Sequence, residues 1–259
     1  MNWFSRWRRA RILERHAMSP DEFDAAVAAL PILQGLDASE RARLREAASL
    51  FIHGKTFSAA GGADVDAATR HLIALQACLL TLNLSEDSYR GWSEIILYPE
   101  EFLRQRDEID EAGVVHRSRD ILAGESWHGG PLVLSIADVA ASGLADGFNV
   151  VLHEFAHKLD MLNGDANGFP PLHRGMDAAG WARDFTTAYE DLCARVDAGE
   201  DTVIDPYATT DPAEFFAVLT EVFFETPHLL HTEYPAIYRQ LQQFYRQHPL
   251  VRLAAHAHA

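Results

Sequence analysis

Apolar and polar positions alternate with three successive characters along the chain: helical spacing, then strand spacing, then helical spacing again. Ser19-Pro20-Asp21-Glu22 predicts a helix start, with Ser19 as N-cap, Pro20 in the first turn and Glu22 closing a capping box. Asp37-Ala38-Ser39-Glu40 repeats that logic, and Gly54 stands near the end of the helix it opens. Gly61-Gly62 breaks the chain, and a helix over about 65–82 follows. From 92 onward the pattern shortens. Residues 94–98 read as a strand stopped by Pro99, 114–116 and 121–123 as short strands of a meander, and 131–135 as a further strand after Gly129-Gly130. Pro131 at its start suits an edge position. Helices near 148–162, 179–197, 212–225 and 235–247 complete the chain, separated by loops rich in Gly, Pro, Asp and Asn.

With no internal repeat and no low-complexity linker, this pattern gives an α+β fold, mostly helical with a small mixed sheet. The expected organisation is a basic, flexible segment over 1–18, one compact unit over 19–253 and a short tail over 254–259. Within the unit, 19–91 is helical, and 92–253 holds the sheet and the later helices.

Charge narrows the function. The formal net charge of -16 repels phosphate, so broad nucleic-acid binding is not expected. The first fifteen residues carry five arginines along with Trp3, Phe4 and Trp7, which suits either a loose tail with aromatic anchors or a surface-binding helix. No apolar h-region follows them, and the most apolar segment, 72–84, is too short to span a bilayer and is interrupted by Gln76, Thr81 and Asn83. Cys78 and Cys193 each sit in an apolar stretch without zinc-ligand spacing, so they read as buried free thiols. The free thiols fit a reducing compartment, so a cytoplasmic protein is expected, and a monomer is taken by default because the sequence does not give the oligomeric state.

The chemistry concentrates in Val150-Val151-Leu152-His153-Glu154-Phe155-Ala156-His157, an H-E-x-x-H pattern inside an apolar helical stretch. Residues four apart in a helix differ by about 40° of rotation and lie one turn apart, so both imidazoles can reach one ion. Glu154 then stands beside the ion, where it can take a proton from an attacking water. A third ligand at the H-E-x-x-H-x-x-G-x-x-H spacing is excluded, because positions 160 and 163 are Asp160 and Asn163. A carboxylate further along remains: Asp177, Glu214 or Glu221. Glu214 and Glu221 are seven apart and share a helix face in otherwise apolar surroundings. Asp177 also suits a helix cap. Asp211-Pro212-Ala213-Glu214 fits a capped helix start as well, so spacing leaves Glu214 open between ligand and cap.

These blocks together resemble the Mlc titration factor A family of bacterial zinc metallopeptidases, whose catalytic core is similar to that of anthrax lethal factor. The resemblance runs through 153–160, Asn163-Gly164-Asp165, Asp205-Pro206-Tyr207-Ala208 and 211–218, with Ile96-Leu97-Tyr98-Pro99 and 130–134 also matching, and extends over about 25–253. It implies a zincin-like domain with an active-site H-E-x-x-H helix. It implies one Zn2+ per chain held by His153, His157 and Glu214, with Glu154 as general base and Tyr207 steadying the oxyanion. It further implies that Asp160 orients a ligand from behind and that Leu132, Val133 and Leu134 form a strand that binds extended peptide. An aminopeptidase-like activity and a Mlc-like transcriptional repressor as partner come with it. Two other readings stand beside the enzyme: a regulatory protein that sequesters a transcription factor on the same scaffold, and a structural metal site, against which the want of a fourth protein ligand counts.

Overall fold

A computed structural model describes residues 3–62, 64–85, 88–99, 107–109, 115–117 and 130–256. Helix α1 (Trp3–His16) lies along α3 (Ala38–Gly54), held by Arg9 Nη2 to Glu46 Oε2 at 3.0 Å and by His16 stacked on His53 with ring centroids 4.8 Å apart. Trp3, Phe4 and Trp7 stay exposed. Helix α2 (Pro20–Ala28) and α3 both start as their sequences dictate, with full capping boxes at Ser19/Glu22 and Asp37/Glu40. Helix α4 (Ala67–Leu80) is capped by Asp66 and is buried over Ile73–Leu80.

Three strands form the main sheet in the order β1 (Thr56–Ala59), β2 (Glu94–Tyr98), β5 (Leu132–Ser135). Thr56 pairs with Glu94, Ile95 with Leu132 and Tyr98 with Ser135, all in parallel. Among the described residues the sheet is therefore parallel, where the sequence suggested a mixed one. The β1–β2 and β2–β5 connections are long enough to cross over, as parallel pairing requires. Strand β4 (Val115–Arg117) pairs antiparallel with β3 (Asp107–Ile109) in a separate two-stranded ribbon, and the strand expected at 121–123 lies outside the described residues. Along β2 and β5, Ile95, Leu97, Leu132 and Leu134 point into the core.

Helix α5 (Ile136–Ala141) follows β5 directly, capped by Ser135. Helix α6 (Val150–Asp160) carries the H-E-x-x-H residues. Helices α7 (Ala178–Asp197), α8 (Pro212–Glu225), α9 (Pro227–Glu233), α10 (Pro235–Tyr245) and α11 (Pro249–His256) complete the order. Pro212, Pro227 and Pro235 each sit in a first helical turn, where a missing N–H costs nothing.

Packing fixes α6 from two sides. Phe155 sits against Phe51, Tyr89 and Trp92 at ring-centroid distances of 5.6, 5.1 and 5.8 Å. On the other side lies α8, almost wholly buried, whose Phe216 also meets Trp181 of α7 and Phe244 of α10. Each fully buried phenylalanine contributes roughly 2 kcal/mol by removal from water. Helix α6 is thus clamped between the sheet side and the C-terminal helices. Among the described residues, no helix is long and apolar enough to cross a membrane.

Candidate metal centre

Asn149 starts α6 by accepting the Leu152 N–H on Oδ1 at 2.8 Å, and the helix then carries His153 and His157 one turn apart. Helix α8 packs across it and brings in Glu214 from its first turn. There Asp211, not Glu214, supplies the cap: its Oδ1 accepts from Ala213 N at 2.8 Å and Glu214 N at 3.0 Å. The Glu214 side chain turns toward the two histidines instead. Glu214 Oε2 lies 2.9 Å from His153 Nε2 and 3.5 Å from His157 Nε2, and the two Nε2 atoms are 3.2 Å apart. A tetrahedral ion with ligands at about 2.0–2.1 Å separates its ligand atoms by about 3.3 Å. The three edges bracket that value.

Hydrogen bonding supports the same reading. Glu214 Oε2 is buried without a hydrogen bond, although both Nε2 atoms are close. Two imidazole nitrogens and a carboxylate oxygen brought this close together fit a divalent cation. His153, His157 and Glu214 could hold a metal ion.

Electrostatics without the ion point the same way. Burial works to lower the His153 pKa, but the Glu214 and Glu221 carboxylates on its two nitrogens outweigh burial and hold it up at about 10. Burial likewise works to raise the Glu214 carboxyl, and the two imidazoles overcome it and hold the group well below the usual carboxylate range. The site is built for positive charge, which a proton or a metal ion can supply.

Of the other carboxylates weighed from sequence, Asp177 caps α7 through Ala179 N at 3.1 Å. Glu221 lies two turns beyond Glu214 and binds His153 from the opposite side, Oε1 to Nδ1 at 2.7 Å. Glu154 is half-buried on α6, and its charge bears on both His153 and Lys158. Tyr207 stands on a 3-10 turn (Pro206–Thr209) started by Asp205, and its ring lies 6.1 Å from that of His153.

Asp160 is fully buried, and burial raises its pKa against the hydrogen bonds it accepts. Those bonds come from Asn167 N and Gly168 N, both at 2.7 Å to Oδ2. Gly168 has φ +75°, and a Cβ there would meet Pro212 O at 2.4 Å, so only glycine fits. Asp160 therefore holds a loop pressed against the start of α8.

Leu132 and Leu134 of β5 face the core and Val133 is half-buried. Among the described residues β5 is an edge strand. Lys158 Nζ donates to Gly130 O at 3.0 Å, tying α6 to the entrance of this strand.

The model of the glucose-regulated metallo-peptidase M90 family matches residues 4–246. That match begins within α1, earlier than the resemblance read from sequence. Among curated relatives, Mlc titration factor A of Salmonella gallinarum is 42% identical over 234 residues, covering 88% of this chain and 87% of the relative. Its counterpart in Salmonella arizonae is 42% identical over 230 residues, covering 87% and 90%. That of Escherichia fergusonii is 40% identical over 227 residues, covering 87% and 86%.

Proposed function

The chain belongs to the glucose-regulated metallo-peptidase M90 family, and from that premise we propose that it is a zincin-like, zinc-dependent peptidase of aminopeptidase type. The observation that carries this reading is the convergence of His153 Nε2, His157 Nε2 and Glu214 Oε2 within 4.8 Å of one another, with Glu154 next in the helix. Two imidazoles and one carboxylate suit zinc and leave a fourth position open. Bound there, zinc would lower the pKa of a water molecule and polarise the scissile carbonyl.

The chain's own residues do the rest. Glu154 takes the proton from the attacking water on its carboxylate and passes it to the leaving amine. The Tyr207 hydroxyl, on the ring beside His153, donates to the developing oxyanion. Extended peptide adds to β5 as a further strand, with Leu132 and Leu134 anchoring the strand and Val133 at the contact. One zinc per chain and a monomeric, cytoplasmic enzyme complete the proposal, and the two free thiols, Cys78 and Cys193, are compatible with a reducing compartment.

The experiment is zinc content of dialysed protein, followed by hydrolysis of aminoacyl anilides by wild type and Glu154→Gln. One zinc per chain, with turnover lost in the variant, is the expected result. Wild-type turnover by Glu154→Gln would overturn the mechanism.

A second reading has its own support: the curated relatives are named for titrating Mlc. We extend that to this chain as binding of a Mlc-like repressor. Glu154→Gln should retain that binding in a pull-down with the purified repressor, because the exchange leaves the scaffold intact.

A further inference from the structure

Four buried polar side chains have no place in the reaction just described: Gln76 and Asn149 at 0% exposure, Glu225 at 2% and Glu221 at 5%. They form one connected set. His153 Nδ1 donates to Glu221 Oε1 at 2.7 Å, and the backbone N–H of Asn149 donates to Glu221 Oε2 at 2.6 Å. Asn149 Nδ2 donates to Glu225 Oε1 at 2.6 Å and to Gln76 Oε1 at 2.7 Å. Glu225 Oε2 accepts from the N–H of Ala145 at 2.6 Å, and Ala145 holds a left-handed φ of 61°. Gln76 Nε2 reaches back to Leu72 O at 3.2 Å. Every polar atom of the Asn149 side chain is used, as are both oxygens of each glutamate.

Such an arrangement is costly. Two carboxylates one turn apart are taken out of water in the core, and apolar residues of similar size would pack α8 against α6 at least as well. A strained Ala145 adds to the cost. The one member of the set that touches the metal site is Glu221.

We propose that Glu221 is a positioning residue that fixes His153 as an Nε2 ligand, and that Asn149, braced by Glu225 and Gln76, holds Glu221 in place. The proposal rests on the metal-site reading above. An ionised carboxylate only accepts hydrogen bonds, so it draws the single proton of a neutral imidazole to Nδ1 and leaves the Nε2 lone pair toward Glu214 and His157. Both oxygens of Glu221 are needed. In Glu221→Gln one end of the amide is a donor. If it faces Asn149 N–H, two donors collide. If it faces His153 Nδ1, the imidazole proton moves to Nε2, where it blocks the ion. Asn149 is both the cap of α6 and the donor that orients Glu221, so helix start and ligand orientation are set by one residue. Through Gln76 the support reaches α4, an element with no ligand of its own.

The test uses the full-length chain. Zinc affinity is measured by competition with a fluorescent chelator, with folding checked by circular dichroism. The His153 Nδ1–H resonance is followed by 15N NMR on zinc-loaded protein. Glu221→Gln should weaken zinc binding roughly ten- to a hundredfold and either shift or abolish the Nδ1–H signal, according to which end of the amide faces His153. Asn149→Asp keeps the Leu152 cap but sets an acceptor against Glu225 and Gln76, and it should weaken zinc binding as well. Combining Asn149→Asp with Glu225→Gln puts a donor opposite the acceptor again and should recover most of the affinity. Wild-type affinity and an unchanged Nδ1–H in folded Glu221→Gln would overturn the proposal while leaving the peptidase reading intact. If Glu221→Gln fails to fold, wild-type affinity in Asn149→Asp, or no recovery in the double variant, overturns it. Wild type that binds no zinc would overturn both readings together.

Discussion

Lys158, one turn beyond Glu154, donates from Nζ to Gly130 O at 3.0 Å and so fastens the H-E-x-x-H helix to the start of β5. Its ammonium also lies 5.3 Å from the Trp92 ring centroid. Burial lowers its pKa, and the nearby Glu154 charge works against that. A single side chain therefore links the helix of the proposed base to the start of the proposed peptide-binding strand. Lys158→Met keeps the apolar stem and removes the donor. It should cost about 1.5 kcal/mol of unfolding free energy in urea, the lower range for a charged hydrogen bond. It should also raise KM severalfold with a smaller change in kcat. An unchanged KM would detach β5 from substrate binding.

Glu154→Gln should reduce kcat by at least about 100-fold, the lower range for loss of a general base. Zinc content should stay at the wild-type level, because Glu154 is not among the three converging donors. Elemental analysis and steady-state kinetics on the same preparation check both halves.

Cap and ligand can be separated at the start of α8. Asp211→Ala removes the acceptor for Ala213 N and Glu214 N and should cost about 1 kcal/mol of stability. Zinc should remain bound. Glu214→Ala should do the reverse, leaving the cap in place and abolishing zinc retention through dialysis. Thermal unfolding of the metal-free forms, read beside zinc content, tests the pair.

Burial raises the Glu225 carboxyl from 4.5 to about 7, against the bonds it accepts from Asn149 and Ala145. The sign follows from proton counting. Between these values the folded chain holds a proton that the unfolded chain has released, so stability falls as pH rises through that window. The contribution is fully present below about 4.5 and gone above about 7. It amounts to about 3 kcal/mol at most. Urea unfolding of metal-free wild type and Glu225→Gln at several pH values should show a flatter dependence in the variant. Parallel curves would place the titration elsewhere.

Three places in this sequence share one local signature: Ser19 with Glu22, Asp37 with Glu40, and Asp211 with Glu214. In the first two the glutamate folds back onto the cap residue and closes a box. In the third it aims at two histidines more than fifty positions earlier in the chain. The helix starts were legible because capping is a matter of a few neighbouring residues. The destination of Glu214 was not, because it depends on how α8 lies across α6. The resemblance to a family, and not the spacing, placed Glu214 with the two histidines. Glu221 was legible as a buried acid needing a partner, though not as the partner of His153 Nδ1. Asn149 gave only the ordinary sign of a helix cap, and Gln76 looked like an interruption in an apolar run. Strand β1 escaped notice because four half-exposed residues straight after a helix carry too little alternation to register. Helices α5, α9 and α11, of six to eight residues, are similarly short for a periodic signal. The parallel order of the sheet was out of reach for the same reason.

The donors of the metal centre come from two helices far apart in the chain, and the brace behind them is more distant still. Glu221 lies 68 residues beyond His153, and Glu225 lies 76 beyond Asn149. A chain emerging from the ribosome therefore exposes the H-E-x-x-H helix well before Glu214, Glu221 and Glu225 exist. Its two histidines have neither a third donor nor a fixed tautomer during that interval. On the proposed reading the three donors meet only when α8 docks, so the metal site is completed late in biosynthesis, after most of the chain has left the ribosome.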